Sequence, residues 1–244
     1  HGTVQTGAIA PHEKSFVLIP ETPKTNKNTY LKLTYTAKEK TALAGEVLGF
    51  DQIALFEAQE EDLLPTAKSV RTTFSSWCVE ETPDVYEIAR DGERLVFDRH
   101  LGVFCEITKN KEKQILEPMR FLTFRAPTNN DSAISREWRE AGFDRSKVKV
   151  YKTLLQEKEG VIEIHSNFSI ASPAKQPFLR FQAIWRVDIE GKIFLSLVGK
   201  FDSAFPYLPR FGLGMKLPGD KTNVTYYGYG PYESYVDKHR ASWV

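Results

Sequence analysis

Apolar and polar residues alternate along much of this sequence, and the alternation recurs at short intervals. In residues 178–188, with Ile184 as the exception, one face of the pattern carries Leu179, Phe181, Ala183, Trp185 and Val187. A period of two predicts a strand with one buried face. The turn at 188–191 leads into residues 192–201, where Ile193, Leu195 and Leu197 alternate in turn. The two segments therefore predict an antiparallel hairpin.

The same pattern predicts further strands and a second hairpin. Strands are expected at 161–170 and at 30–36, the latter with Leu31, Leu33 and Tyr35 facing inward. Residues 85–90 and 93–97 predict a hairpin that turns at Asp91-Gly92, a dipeptide suited to tight turns. The fold class predicted is antiparallel all-β, with a sandwich favoured over a closed barrel.

One short polar segment, residues 132–141, has helix signals. Ser132 or Ser135 could cap its start, and Gly142 stands where a helix end favours positive φ. We interpret the segment as a surface loop with one or two helical turns.

Residues 57–62 mark a change in composition. Four of them are acidic, no strand pattern is present, and Pro65 follows, which together predict a linker. Before it, strands are predicted only at 3–8, 14–19, 30–36 and 47–56, fewer than the seven or so of an immunoglobulin-like sandwich. The first domain is therefore expected to be incomplete or to borrow strands from elsewhere.

Composition excludes several classes of protein. With 41% hydrophobic residues, 12% aromatic residues and a formal charge of +1, the chain is neither disordered nor suited to attract nucleic acid. No apolar run approaches the 18 or so residues that span a bilayer, so we expect a soluble protein without a membrane partner. Cys78 and Cys105 lie in apolar surroundings and are predicted to be buried free thiols. The chain begins at His1 with no signal-peptide pattern, and we expect it to be a piece of a longer polypeptide.

The sequence contains few motifs for catalytic or metal chemistry. The five histidines are scattered, His165 is expected at the surface, and no nucleophile elbow, zinc spacing or complete phosphate loop occurs. Two segments are more informative: the Asx-rich loop at 124–131, where Arg125 offers a fork for carboxylates or carbonyls, and the tyrosine-rich segment at 226–235. From the residues alone, a rigid turn and an aromatic strand edge are favoured over a sugar-binding surface.

Four short motifs carry a resemblance to a known family. They are Arg125-Ala126-Pro127-Thr128-Asn129-Asn130-Asp131, Trp138-Arg139-Glu140-Ala141-Gly142, Pro209-Arg210-Phe211-Gly212-Leu213 and Tyr229-Gly230-Pro231-Tyr232-Glu233-Ser234-Tyr235-Val236-Asp237-Lys238. Their order and spacing resemble the fifth domain of large bacterial β-galactosidases of glycoside hydrolase family 2. Asn129 and Lys238 depart from the common Asp and Arg of those motifs. Residues before about 60 are similar to the end of the family's fourth domain.

The resemblance implies a partial immunoglobulin-like sandwich at residues 1–62, followed at 63–244 by a large antiparallel mutarotase-like sandwich that is truncated at its C-terminus. It implies a longer enzyme that hydrolyses terminal β-D-galactosides such as lactose with retention. Retention needs two carboxyl groups about 5 Å apart, and in this family they belong to a barrel that this sequence lacks. We therefore expect no catalytic residue here and an inactive fragment.

The resemblance also assigns site residues. A mobile loop at the rim of the active site would contain Asp131, Ser132, Ala133, Ile134 and Ser135, with an exposed Ser135 nearest the substrate. Arg125, Asn129 and Asn130 would anchor the loop, and a strand with Tyr229, Tyr232, Glu233 and Tyr235 would face sugar. No metal or cofactor is expected in this chain, whereas magnesium and sodium would bind in the barrel.

The expected partners are the remaining domains of the same enzyme, above all its barrel, together with galactoside and further copies of the full-length chain. A cytoplasmic location is expected, with a periplasmic or secreted one left open. Two other functions also stay open. The chain could be a carbohydrate-binding sandwich module, or a small subunit that complements a separate barrel subunit.

Overall fold

The computed structural model describes residues 2–4, 10, 12–16, 18, 28–37, 44–57, 77–158, 160–232, 235 and 242–243. The contacts of the chain form two compact units: His1–Leu63 together with Tyr226–Val244, and Leu64–Thr225. The final residues thus group with the first segment, although the sequence-based division assigned them to the second domain. The domain limits at 62 and 63 stay a prediction.

In the described part of the smaller unit, β1 (Thr29–Thr36) and β2 (Val47–Phe56) form an antiparallel hairpin. Both strands were predicted. Tyr35 is 49% exposed, however, so its expected inward position is wrong. Thr3, Val4, residues 14–16 and Leu18 are not in strands, and the other positions of the strands predicted at 3–8 and 14–19 lie outside the described residues.

The larger unit contains a five-stranded antiparallel meander. Its strands are β3 (Cys78–Glu81), β4 (Val85–Arg90), β5 (Glu93–Asp98), β6 (Val103–Lys109) and β7 (Glu112–Lys113), in chain order. The predicted turn is confirmed: Arg90 pairs with Glu93, and Gly92 between them adopts a φ of +72°.

A second sheet contains β9 (Lys147–Lys158), β10 (Val161–Ala171), β11 (Pro177–Val187) and β12 (Ile193–Phe201), each antiparallel to its neighbour. Two short strands, β8 (Arg120–Leu122) and β13 (Gly212–Gly214), pair with each other. Between β8 and β9 lie the helix α1 (Ile134–Ala141) and the 3₁₀ turns Asn129–Asp131 and Phe143–Arg145. No helix in the described part of the chain is long and apolar enough to cross a membrane.

The two larger sheets of this unit pack through aromatic side chains. The ring of Trp185 on β11 lies 5.3 Å from that of Phe104 on β6, and its Nε1 donates to the Gly102 carbonyl at 3.2 Å. Along β11 the predicted alternation is confirmed, because Leu179, Phe181, Ala183, Trp185 and Val187 are buried while Arg180 and Gln182 are exposed. The all-β sandwich is thereby confirmed, whereas the immunoglobulin-like and mutarotase-like assignments stay predictions.

The two cysteines are both free thiols, as predicted, but the expectation that both are buried is wrong for Cys78. Trp77 and Val79 occupy the core-facing positions at the start of β3, so the alternation turns Cys78 outward. Cys105 is half-buried, and this burial raises the pKa of its thiol.

Candidate functional site

An ion pair between Arg125 and Asp131 closes the loop that follows β8. Arg125 Nη1 donates to Asp131 Oδ2 at 2.6 Å and Nη2 donates to Oδ1 at 3.1 Å, with both side chains largely buried. The Nε of Arg125 also donates to the Pro209 carbonyl at 3.2 Å. The planar guanidinium makes a bidentate contact with the carboxylate, which fixes both the distance between the two groups and their relative orientation. Arg125 therefore joins the loop to a segment 84 residues further along the chain.

The 3₁₀ turn at Asn129–Asp131 is closed by the same carboxylate. The backbone N–H and the hydroxyl of Thr128 donate to Asp131 Oδ2 at 2.7 Å and 2.9 Å. The Arg125 guanidinium, supported by these two donors, holds the pKa of Asp131 well below its usual range. Asp131 is thus a fixed anion that accepts four hydrogen bonds.

The other residues predicted at the anchor have a different setting. Asn129 and Asn130 are exposed, and the side-chain hydrogen bonds at the base of the loop join Arg125, Thr128 and Asp131. Ser132 and Ala133, directly after Asp131, are exposed as well. The segment therefore combines a hydrogen-bonded base with an exposed tip.

Ser135 is buried, so the expectation that it is exposed is wrong. Only 9% of the residue is accessible, and its hydroxyl faces the Ser132 carbonyl at 3.4 Å. The reason is the helical period: Ser135, Trp138 and Ala141 recur three residues apart and share the buried side of α1. The residue at the N-cap is Ala133, not Ser132 or Ser135, whereas the predicted helix end at Gly142 is confirmed.

Trp138 anchors α1 in the core. It is fully buried, the Arg125 guanidinium lies 5.4 Å from its ring centroid, and the Tyr207 ring meets it edge-on at 5.8 Å. Its Nε1 has no hydrogen-bond partner among the described residues. Trp138 therefore packs between the loop base and the segment before Pro209.

The C-terminal end of α1 is fixed by a buried serine. Gly142 adopts a φ of +79°, and its N–H donates to the carbonyls of Trp138 and Arg139 at 3.0 Å each. Ser172, just beyond β10, donates its hydroxyl to the Ala141 carbonyl at 2.5 Å. Both ends of the segment between β8 and β9 are thus attached to the sandwich.

Comparison with known proteins assigns the family. Residues 89–244 match the family model described as β-galactosidase small chain, a range that contains all four sequence motifs. The chain belongs to this family.

The β-galactosidase small-chain match is accompanied by longer relatives. A β-galactosidase of Actinobacillus pleuropneumoniae is 33% identical over 248 aligned positions, which cover 98% of this chain and 24% of that protein. A β-galactosidase of Staphylococcus xylosus is 31% identical over 62% of this chain and 15% of its own length. The chain thus spans about a quarter of the first relative, consistent with a C-terminal portion of a β-galactosidase.

Two distant parts of the small-chain sequence meet next to the loop base. β13, which begins within the motif at 209–213, pairs with β8 through Gly212 and Leu122. The Phe211 ring stacks on that of Phe121 at 6.2 Å with an interplanar angle of 4°. Arg125 also donates to the Pro209 carbonyl and contacts the Trp138 ring. The motifs at 125–131, 138–142 and 209–213 therefore meet at the base of this loop.

The fourth motif lies in the smaller unit. Tyr229, Tyr232 and Tyr235 are exposed, as a sugar-facing surface requires, but the described residues of the motif form no strand. Gly230 instead makes an isolated bridge with Trp243. Glu233 lies outside the described residues. Among those residues, no group of three His, Cys, Asp or Glu side chains is arranged to hold a metal ion.

Sequence reasoning missed Tyr207, Ser172 and Thr128. Tyr207 contacts Trp138 and Ser172 bonds to the Ala141 carbonyl. Both residues are distant from α1 in the sequence, so no local pattern predicts these contacts. Thr128 could have been found, because a hydroxyl three residues before an Asp is a signal for a capped turn.

Proposed function

We propose that this chain is the non-catalytic part of a retaining β-galactosidase that acts on terminal β-D-galactosides, and that residues 131–139 contribute to the rim of its active site. The observation that carries the proposal is the fixed base and exposed tip of this segment within a β-galactosidase small-chain sequence. The relative from A. pleuropneumoniae supports it further, because 98% of this chain aligns with one β-galactosidase polypeptide. That alignment favours a contiguous enzyme over a separate small subunit.

The charge state of Asp131 supports a positioning role over a catalytic one. A general acid must hold its proton near the working pH, and a nucleophile must be free to attack an anomeric carbon. Asp131 does neither, because its pKa is held low and its oxygens are occupied by Arg125 and Thr128. In this proposal the catalytic carboxyl pair, any magnesium or sodium ions and the oligomer contacts belong to the rest of the longer protein.

The substrate-facing groups are proposed at the tip. Because Ser135 is buried, Ser132 is the exposed hydroxyl next to the anchored Asp131. A hydroxyl held there can donate to and accept from a sugar hydroxyl.

Two measurements on purified protein test the proposal. The 244-residue chain should not hydrolyse nitrophenyl β-galactoside, since proximity without the carboxyl pair gives no retaining mechanism. In the longer enzyme, Ser132→Ala should lower kcat/KM by roughly two- to tenfold, the value of one neutral hydrogen bond. Ser203→Ala, at an exposed serine after β12, is the matched control and should leave the kinetics unchanged.

Turnover by the 244-residue chain above a blank from host cells would contradict the non-catalytic assignment. Equal kinetics for the two serine variants and the parent enzyme would remove Ser132 from the rim.

A further inference from the structure

A row of cations crosses the outward face of the second sheet. The register of the sheet aligns Lys149 with Ser169, Ser169 with Arg180, and Arg180 with Lys200. The residues on either side of this row in β10 and β11 are buried in the core, so the row itself lies on the opposite face. Its three cations are exposed. These four residues are called the basic row below.

The basic row has no carboxylate of its own. In the described part of the chain, none of its three cations takes part in an ion pair. The acidic side chains that flank it are already bonded elsewhere. Glu163 on β10 accepts from Arg186 at 2.5 Å, and Asp202, just beyond β12, accepts from the Ala204 N–H at 3.0 Å. The positive charge of the row is therefore not neutralised by its neighbours.

Arg180 and Lys200 lie directly opposite each other on adjacent strands. Side chains in such a pair have Cβ atoms about 5 Å apart, and two like charges at that spacing repel each other. An anion bound between them would remove the repulsion. A phosphate group with nearly two negative charges would neutralise both cations, whereas a carboxylate would neutralise one. The guanidinium fork and the compact ammonium are both suited to phosphate oxygens.

A tyrosine holds the other end of the basic row. The Tyr151 hydroxyl lies 2.9 Å from the hydroxyl of buried Ser169. The Lys149 ammonium lies 5.1 Å from the centroid of the Tyr151 ring. The row therefore has a cation on each side of Ser169.

A cleft of about 200 Å³ adjoins the basic row. This volume is several times the roughly 30 Å³ that a water molecule occupies in the liquid, so the cleft has room for a small ligand. Its lining includes Lys152, Asn167 and Gln182, which form the next row on the same face. These side chains offer further N–H donors. Leu154 and Ile184 also line the cleft and offer apolar surface.

We propose that this face of the second sheet binds a phosphate dianion, either free or as the monoester of a small organic molecule. Arg180 and Lys200 bind the phosphate oxygens, and Lys152 donates from the side of the cleft. The organic group of an ester packs against Leu154 and Ile184. The proposal does not depend on the function proposed above, since none of these residues belongs to the segment 131–139.

Phosphorus NMR on the 244-residue chain, with inorganic phosphate and phenyl phosphate as probes, tests the proposal. Saturable binding is expected for both probes. Tighter binding of phenyl phosphate would identify an ester as the ligand, and equal affinities would identify free phosphate. Arg180→Gln should weaken binding roughly tenfold, as expected for the loss of one charge-assisted hydrogen bond. Lys158→Gln is the matched control, because Lys158 is exposed on the same face of β9 about 20 Å from Lys152.

A second variant separates binding from structure. Lys200→Gln should also weaken binding, but it should not lower the melting temperature in phosphate-free buffer, because it removes the repulsion with Arg180. Added phosphate should raise the melting temperature of the parent chain more than that of this variant. A lysine that only supported the strand would lower the melting temperature when replaced.

Three results would overturn the proposal. One is the absence of saturable binding for both probes. A second is equal binding by the parent, Arg180→Gln and Lys200→Gln chains. The third is saturation by polyglutamate without saturation by either phosphate probe, which would assign the basic row to an acidic polypeptide.

Discussion

Replacing Gly142 with alanine should release the end of α1 from the sandwich. The residue has a φ of +79°, and an added Cβ would lie 2.6 Å from Ser172 Oγ and 2.7 Å from Ser172 Cβ. The left-handed backbone costs an L-residue about 1–2 kcal/mol. Overpacking a dense site costs about 1–3 kcal/mol. Moving Ser172 breaks its bond to the Ala141 carbonyl, worth about 1 kcal/mol.

The expected total loss is about 3–6 kcal/mol in the free energy of unfolding. Urea denaturation followed by circular dichroism measures it as a shift of the midpoint. Gly92→Ala is the matched control: its φ is +72°, but the nearest atom to an added Cβ, Asn110 Oδ1, is 3.7 Å away. That variant should lose only the backbone cost. Equal losses for the two variants would refute the argument that Ser172 fixes the helix end.

Two further predictions concern the ion pair and the thiols. The folded pKa of Asp131 lies below its unfolded value of about 3.9, so its stabilisation is complete above about pH 4 and is lost as the pH falls through the folded pKa. Melting temperatures of the parent and Asp131→Asn chains should therefore differ at pH 7 and converge in strong acid, and a constant difference would contradict this. Exposed Cys78 should react with a thiol reagent faster than half-buried Cys105, so the reaction should show a fast and a slow phase. The fast phase should disappear in the Cys78→Ser chain. A fast phase that remains in that chain would assign the reactivity to Cys105.

Periodicity predicted β11 well because this strand buries one face. Along β11 the alternate residues from Leu179 to Val187 are buried as expected, and the Asp91-Gly92 turn forms where its backbone preference places it. Gly142 ends α1 for the same local reason, since only a residue free to adopt positive φ fits there. Local sequence preferences were sufficient to predict these three features.

Burial of single residues could not be predicted in the same way. The apolar neighbours of Cys78 predict a buried thiol. The strand alternation instead places those neighbours in the core and turns Cys78 outward. The sequence predicts Ser135 in a surface loop, whereas its helical phase with Trp138 places it on the buried side of α1. Contacts such as Ser172 to Ala141 join positions 31 apart, and no local pattern encodes them.

Trp138 shows why the segment after β8 depends on more than its ion pair. Its buried indole N–H has no hydrogen-bond partner among the described residues, which costs about 1–3 kcal/mol, and an aromatic ring without the N–H would avoid that cost. The ring, however, contacts the Arg125 guanidinium and the Tyr207 edge at once, and burial of an aromatic side chain offsets a cost of that size. Arg125 is itself bound to Asp131 and to the Pro209 carbonyl. Trp138 therefore couples α1 to the loop base and to the chain before β13, which explains how a segment with an exposed tip stays fixed at both ends.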